Sequence, residues 1–184
     1  MSSSPQSPRI AAAALGAVAG ARSMAAPAVI ARTLARGPAP RQSPGRQLAN
    51  PAVAKVLSVL ALGELVADKL PGVPNRNAPL PLLGRAVSGA LVGAAAGAVD
   101  RGGRAAHGAI GAIAAVLATE ATYRARRQVG ERTGLPNAVL GVMEDVAVLV
   151  LAGWAAAHVA RTVEHLPSAT QRAAAADERA RANM

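Results

Sequence analysis

Cysteine and phenylalanine are absent from this chain of 184 residues, and Tyr123 and Trp154 are its only aromatic residues. Without cysteine the chain cannot form disulfides, zinc–thiolate sites or cysteine nucleophiles. With only two aromatic rings it has very few of the side chains that remove most apolar area from water when they are buried. Alanine supplies 48 residues instead. This composition does not suit an ordinary water-soluble core, and it favours a small integral membrane protein.

Acidic residues are scarce, since 10 Asp and Glu face 20 Lys and Arg and leave a net charge of +10. A basic balance can indicate nucleic-acid binding, but these arginines do not gather on one face and no aromatic residues accompany them for base stacking. They flank apolar segments, which is typical of membrane loops near anionic lipid head groups. We therefore expect the lipid bilayer, and not nucleic acid, as the partner of these charges.

Long uncharged apolar runs are also missing, because none reaches the roughly 18 residues that usually mark a membrane-spanning helix. The charge-free stretches cover 10–21, 86–99, 105–119 and 146–160. Each becomes long enough when one or two ionisable residues within or beside it are accepted. Water-soluble alanine-rich helices are the alternative. Five apolar segments of helix length without bulky residues favour the membrane interpretation.

The segments predict an all-α polytopic bundle of about five Ala/Gly-rich helices in the cell membrane. The predicted helices cover 10–34, 51–70, 82–99, 105–127 and 137–160, inside a bundle of residues 10–160 between a disordered tail at 1–9 and a polar tail at 161–184. Asn50 and Pro51 are typical of a helix start. The prolines of residues 71–81 predict an extended connector before the third helix.

The first segment carries two further signals. Arg9 followed by small apolar residues resembles a signal peptide, but more apolar segments follow, so we expect it to be retained as a first spanning helix. Gly20, Ser23 and Pro27 lie within two helical turns of one another, which favours a kink or a break. Broken helices often mark binding sites in transporters, although a kink without a site is equally compatible.

Glycines recur every four residues in two segments, at Gly16 and Gly20 and at Gly89, Gly93 and Gly97. Residues four apart share one helix face, so these glycines allow another helix backbone to approach closely. Packing within the chain is the favoured interpretation. A seam between copies in a homo-oligomer is the alternative.

Five ionisable residues fall at membrane depth: Arg22, Glu64, Asp68, Glu144 and Asp145. A charge there costs several kcal/mol, roughly 2.5–3.5 on insertion scales, and usually faces the bundle interior with a partner. One interpretation is an ion, proton or small-solute path that these carboxylates and the arginine line. The other is a structural ion pair between Arg22 and one carboxylate.

No arrangement of nucleophile and base, no phosphate-binding glycine loop and no metal-ligand spacing of histidines occurs in the sequence. We therefore expect no catalytic residue, metal or cofactor, and no enzymatic activity. Weak internal similarity, between residues 15–19 and 110–114 and between the two proline-led segments with acidic pairs, indicates a possible inverted repeat.

Four stretches carry a resemblance to a known family: AGARSMAAPA (19–28), ALGELVADKLPGVPNR (61–76), GRAVSGALVGAA (84–95) and MEDVAV (143–148). Together they resemble domain of unknown function 4126, a family of small bacterial proteins that are taken to be integral membrane proteins. The resemblance covers about residues 10–160. It is most specific around Glu64, Asp68 and Pro71, while Asn77 stands where the family commonly has threonine. The family implies a membrane protein and supplies no activity or catalytic residue.

The function that these features favour is a small transporter or channel for an ion or small solute. The alternative is a non-transporting structural or accessory membrane protein that docks partners through its glycine faces. Five spans would place the two termini on opposite sides of the membrane, and the distribution of Arg and Lys slightly favours a cytoplasmic C-terminus.

Overall fold

The computed structural model describes residues 7–37, 40, 42–67, 78–99, 103–164, 178 and 181, and within them it is helical without a strand. The helices are α1 (Ser7–Ala21), α2 (Ala25–Leu34), α3 (Gly45–Leu48), α4 (Pro51–Ala67), α5 (Pro79–Val99), α6 (Arg104–Thr133) and α7 (Asn137–Glu164). The prediction of an all-α helical bundle is therefore confirmed.

Four helices extend beyond their predicted bounds. α1 begins at Ser7, within the tail that was predicted to be disordered, and α7 ends at Glu164 and not at residue 160. α5 begins at Pro79 and not at residue 82, because proline is tolerated in a first turn, where its missing N–H would have no partner. α6 continues past residue 127 to Thr133, since Arg124 pairs with Glu120 and Arg127 with Glu131 one turn away. It ends where Gly134 adopts a φ of +65° and donates its N–H to the Gly130 carbonyl at 3.0 Å.

The segment predicted as one helix over 10–34 is two helices, with a break at residues 22–24. The second predicted helix, 51–70, is described as far as Ala67. Its start follows the prediction, because the Asn50 side chain accepts a hydrogen bond from the Ala52 N–H at 2.8 Å. Residues 68–77, which include the predicted site residue Asp68, lie outside the described residues.

α5 and α6 are antiparallel and define two ends of the bundle. Gly89 lies against the Gly111 carbonyl, and Gly93 lies against the carbonyl of His107, one turn earlier in α6. We call the end at which α5 finishes and α6 starts the Arg104 end, and the opposite one the Thr133 end.

α1 and α2 form a hairpin that enters and leaves the bundle at the Arg104 end. α1 runs alongside α6 in the same direction, since Gly16 contacts Gly111 and Gly20 contacts Ala115. After α2 the chain lies again at the Arg104 end. There Arg104 donates a hydrogen bond to the Ser43 carbonyl at 2.8 Å, and Gly45 packs near Ala98. The hairpin tip, residues 22–24, therefore lies near the middle of the bundle.

α4 and α7 complete the bundle around this hairpin. α4 starts at the Arg104 end and runs antiparallel to α2, which brings Glu64 to the hairpin tip. α7 returns from the Thr133 end and packs on α1 and α2. Its buried residues, among the side chains described, are Leu140, Val148, Ala152, Ala155 and Val159. Each of these elements therefore contributes to the surroundings of residues 22–24.

The predicted packing glycines all face α6 of the same chain. Gly16, Gly20, Gly89 and Gly93 lie so close to α6 that a Cβ on any of them would overlap its backbone, and Gly97 lies against the His107 ring. Such close approach supplies the van der Waals contact that joins helices in the absence of bulky side chains.

Bulky side chains lie mainly on the outside of the bundle. Leu117 and Leu149 are 64% exposed and Val150 is 68% exposed, whereas much of the core is alanine. α5, α6 and α7 are also long and apolar enough to cross a membrane. An apolar outer surface on helices of this length is the pattern of an integral membrane protein.

An inverted repeat requires the two related helices to run in opposite directions, and only one of the two indicated helix pairs does so. α4 and α7, the proline-led helices with acidic pairs, run in opposite directions. Residues 15–19 of α1 and 110–114 of α6 instead run in the same direction and pack together at Gly16 and Gly111.

Candidate functional site

The break between α1 and α2 interrupts the helical hydrogen-bond ladder in the middle of the bundle. Helix ends leave backbone N–H and C=O groups without intrahelical partners, and such groups are costly in an apolar interior. Here side chains from three other helices, α4, α5 and α6, bind such groups, and each contact joins residues that are far apart in the sequence.

Glu64 of α4 binds the free N–H groups at the start of α2. Its Oε1 accepts hydrogen bonds from the Ser23 N–H at 2.8 Å and from the Ser23 hydroxyl at 2.7 Å. Its Oε2 accepts one from the Met24 N–H at 2.8 Å. A carboxylate at a helix N-terminus also interacts favourably with the helix dipole. Glu64 therefore fixes α4 to the hairpin tip.

Donors from α5 and α6 bind the free carbonyl groups on the other side of the break. The Gly20 carbonyl accepts hydrogen bonds from Arg85 Nη1 and from Thr119 Oγ1, both at 2.9 Å. The Ser23 carbonyl accepts one from the Ser88 hydroxyl. Arg85, Ser88 and Thr119 are all buried, so these bonds lie in an environment that excludes water.

Arg22, at the tip itself, pairs with Asp145 of α7. Arg22 Nε lies 2.9 Å from Asp145 Oδ1, and Nη2 of the same guanidinium contacts the same oxygen. The side chains are only 6% and 14% exposed. This pair is the structural ion pair that the sequence indicated as one of two interpretations, and it links α7 to the break.

A central cavity of about 260 Å³ lies beside this pair, between α2, α4 and α7. Its walls are mostly small or aliphatic, and Arg22 and Asp145 supply polar groups near the break. Arg32 and Ser58 also line it and are shared with a second cavity at the Arg104 end. The ion pair is therefore within reach of a molecule in this cavity.

The structure brings together three of the five predicted site residues, namely Arg22, Glu64 and Asp145. Glu144 lies elsewhere, because its position one residue before Asp145 turns it towards α6, where Oε2 is 2.9 Å from Arg126 Nη2. Asp68 lies outside the described residues. No group of three or more His, Cys, Asp or Glu side chains comes together in the part of the chain that is described.

Sequence reasoning missed four residues of the site: Ser23, Arg85, Ser88 and Thr119. Serine and threonine in helices usually bond to their own backbone, and Thr119 does so as well, at 2.8 Å from the Ala115 carbonyl. Arg85 and Ser88 carried a usable signal, since they lie three residues apart on one face of an apolar helix.

Comparison with known proteins identifies a family but no individual relative. No curated protein and no solved structure matches the chain. The family model described as Domain of unknown function (DUF4126) matches residues 10–163, which include every contact at the break described above. The chain therefore belongs to the DUF4126 family, whose function its name leaves open.

Proposed function

We propose that this protein is a small transporter or channel for an ion or small solute, whose path passes the hairpin tip. The observation that carries the proposal is the helix break near the middle of the bundle, beside a cavity that an intramembrane ion pair reaches. Non-helical backbone is tolerated at membrane depth only where protein buries it or where it lines a cavity. In transporters, such broken helices form the binding sites for substrates and coupling ions.

The proposed topology is a multi-pass one in the cell membrane. α5, α6 and α7, which are long and apolar enough, cross the bilayer. The chain crosses it once more between the start of α4 at the Arg104 end and the start of α5 at the Thr133 end, and the α1–α2 hairpin is re-entrant. α1 has 15 residues and α2 has 10, which correspond to about 22 and 15 Å of helix, against a hydrocarbon core of about 30 Å. The hairpin thus reaches the middle of the membrane and returns.

The carboxylates at the tip supply the chemistry. Asp145 and Glu64 hold their partners through charge-assisted hydrogen bonds, which are stronger than neutral ones. Protonation of Asp145 weakens its attraction to Arg22, and this frees α7 from the tip. A proton or a small cation that competes for the carboxylate therefore couples to movement of the hairpin relative to α4 and α7.

The alternative function, an accessory protein that docks partners through its glycine faces, has less support from the helix contacts. The five glycines that would dock a partner face α6 of the same chain, and four of them leave no room even for a Cβ. No corresponding observation favours an accessory role.

Flux into proteoliposomes tests the proposal. With an imposed pH gradient and an entrapped pH dye, we expect the wild-type protein to carry protons or to exchange them for an alkali cation. A variant with both Arg22→Gln and Asp145→Asn keeps a neutral, shape-matched pair and is expected to fold without flux. Glu131→Gln, which removes an exposed carboxylate of α6, is the matched control and should retain full flux.

Two results would contradict this proposal. One is a wild-type protein that gives no more flux than protein-free liposomes under any of these gradients. The other is full flux in the Arg22→Gln/Asp145→Asn variant, since the path would then not depend on the ion pair. The first result would favour the accessory alternative, whereas the second would mean that the protein transports along a path away from the hairpin tip.

A further inference from the structure

A second, basic cavity lies at the Arg104 end, in the cleft between the last turn of α2 and the first turns of α4. Its volume is about 480 Å³. Arg32 lines it from α2, Arg36 from the turn after α2 and Lys55 from α4, with Ser58 beside them. Arg32 and Ser58 also line the cavity at the hairpin tip, but the proposed transport path depends on the ion pair there and assigns no role to the three cations together.

The three cations have no anionic partner among the described residues. No carboxylate lines the cavity, and none of the described side chains forms an ion pair with Arg32, Arg36 or Lys55. Arg32 and Arg36 line the same cavity, and like charges that lie close together repel. Lys55 lies close to the N-terminal end of α4, which favours anions and disfavours cations. An anion in the cavity would remove all of these unfavourable interactions.

An apolar stripe leads from the cavity along the outer face of α4. Lys55, Val59, Leu62 and Val66 are spaced by four, three and four residues, so they lie on one face of the helix. Val59, Leu62 and Val66 are 68%, 65% and 63% exposed. The stripe runs from the cations towards the middle of the bundle, the direction that an acyl chain takes from its head group.

We infer that this cavity binds the head group of an anionic phospholipid, with one acyl chain along the stripe on α4. The phosphodiester would interact with Arg32, Arg36 and Lys55, and arginine is well suited to bind phosphate through two hydrogen bonds. A soluble anion would satisfy the charges but would leave the stripe without a function. Basic pockets between membrane helices at the cytoplasmic face are typical sites for anionic head groups.

Native mass spectrometry of the detergent-solubilised full chain tests this inference, with phosphatidylglycerol compared against phosphatidylcholine. We expect tight phosphatidylglycerol adducts on the wild-type protein and few phosphatidylcholine adducts. The triple variant Arg32→Gln/Arg36→Gln/Lys55→Gln should bind phosphatidylglycerol roughly a hundredfold more weakly, at about fivefold per cation. These side chains are exposed, so the variant is expected to fold, which circular dichroism checks.

The matched control is Arg9→Gln/Arg46→Gln/Arg161→Gln, which removes the same charge from the Arg104 end outside the cavity. It should retain the affinity for phosphatidylglycerol. Equal loss in both triple variants would overturn the inference, because binding would then be diffuse. Equal binding of the two lipids by the wild-type protein would also overturn it. So would full displacement of phosphatidylglycerol by millimolar inorganic phosphate, since the site would then be one for soluble anions.

Discussion

At the scale of single residues, the centre of this protein is a set of polar side chains that compensate for a broken helix. Burying a charge or a free backbone group is costly, so each must find a partner in the apolar interior. Arg22 pairs with Asp145 on α7, and the N–H groups of Ser23 and Met24 donate hydrogen bonds to Glu64 on α4. One short segment is thereby bound to two helices that lie far from it in sequence.

Breaking the buried ion pair on one side is expected to destabilise the fold. Asp145→Asn should lower the free energy of unfolding in detergent by about 3–5 kcal/mol, because the Arg22 guanidinium loses the carboxylate that compensates its burial. Combining it with Arg22→Gln should restore most of that loss. Glu131→Gln serves as the control, since an exposed pair contributes no more than about 1 kcal/mol. Additive losses in the double variant would contradict this account.

Removing the cap on α2 should loosen the hairpin tip locally. Glu64→Ala leaves the Ser23 and Met24 N–H groups without their acceptor, and such a loss costs about 1–3 kcal/mol. Glu64→Gln retains one acceptor oxygen and should lose less. Hydrogen–deuterium exchange in peptides that cover the tip measures the effect. Ser58→Ala, whose hydroxyl bonds only to its own helix at Ala54, should leave that exchange unchanged.

The sequence predicted three charged members of this site, Arg22, Glu64 and Asp145, because a charge in an apolar helix requires a partner. It did not predict which partner each would take. That depends on the hairpin, which reverses the chain at residues 22–24 and places Glu64 beside it. The donors Arg85, Ser88 and Thr119 were missed for the same reason, since the carbonyl groups that they bind are free only because the helix breaks.

At the scale of helices, close backbone packing replaces the bulky core that the composition cannot supply. α1 and α5 both lie against α6, and the contacts are made through glycine. The periodicity predicted close-packing faces on these helices, because a spacing of four follows from helix geometry alone. It could not predict that α6 would be the common neighbour, since α6 carries only Gly108 and Gly111 at the contact.

Two alanine substitutions on α5 test the role of these glycines. Gly89→Ala should destabilise the bundle by about 1–3 kcal/mol, because the added Cβ would overlap the Gly111 carbonyl and force α5 and α6 apart. Gly84→Ala lies on the same helix with nothing within 4 Å of the new Cβ, and should be neutral or slightly stabilising. Thermal unfolding in detergent distinguishes them. Equal melting temperatures would mean that α5 and α6 do not pack through Gly89.

At the scale of the whole molecule, charge is distributed unequally between the two ends. The Arg104 end carries Arg9, Arg32, Arg36, Arg46, Lys55, Arg104 and Arg161, and no carboxylate lies there among the side chains described between residues 9 and 161. At the Thr133 end, arginines of α6 pair with Glu120, Glu131 and Glu144. Because Lys and Arg concentrate on the cytoplasmic side of membrane proteins, we expect the Arg104 end to face the cytoplasm.

The proposed re-entrant hairpin makes this orientation a testable topology. Five membrane spans would place Arg9 and Arg161 on opposite sides of the membrane. A re-entrant hairpin followed by four spans places both residues on the same side. The chain has no native cysteine, so single cysteines report position without background. In intact cells, a membrane-impermeant maleimide should label Arg132→Cys, at the Thr133 end. It should label Arg9→Cys and Arg161→Cys only after permeabilisation. Opposite behaviour of positions 9 and 161 would mean that the first segment crosses the membrane, and the hairpin tip would then not be the end of a re-entrant loop.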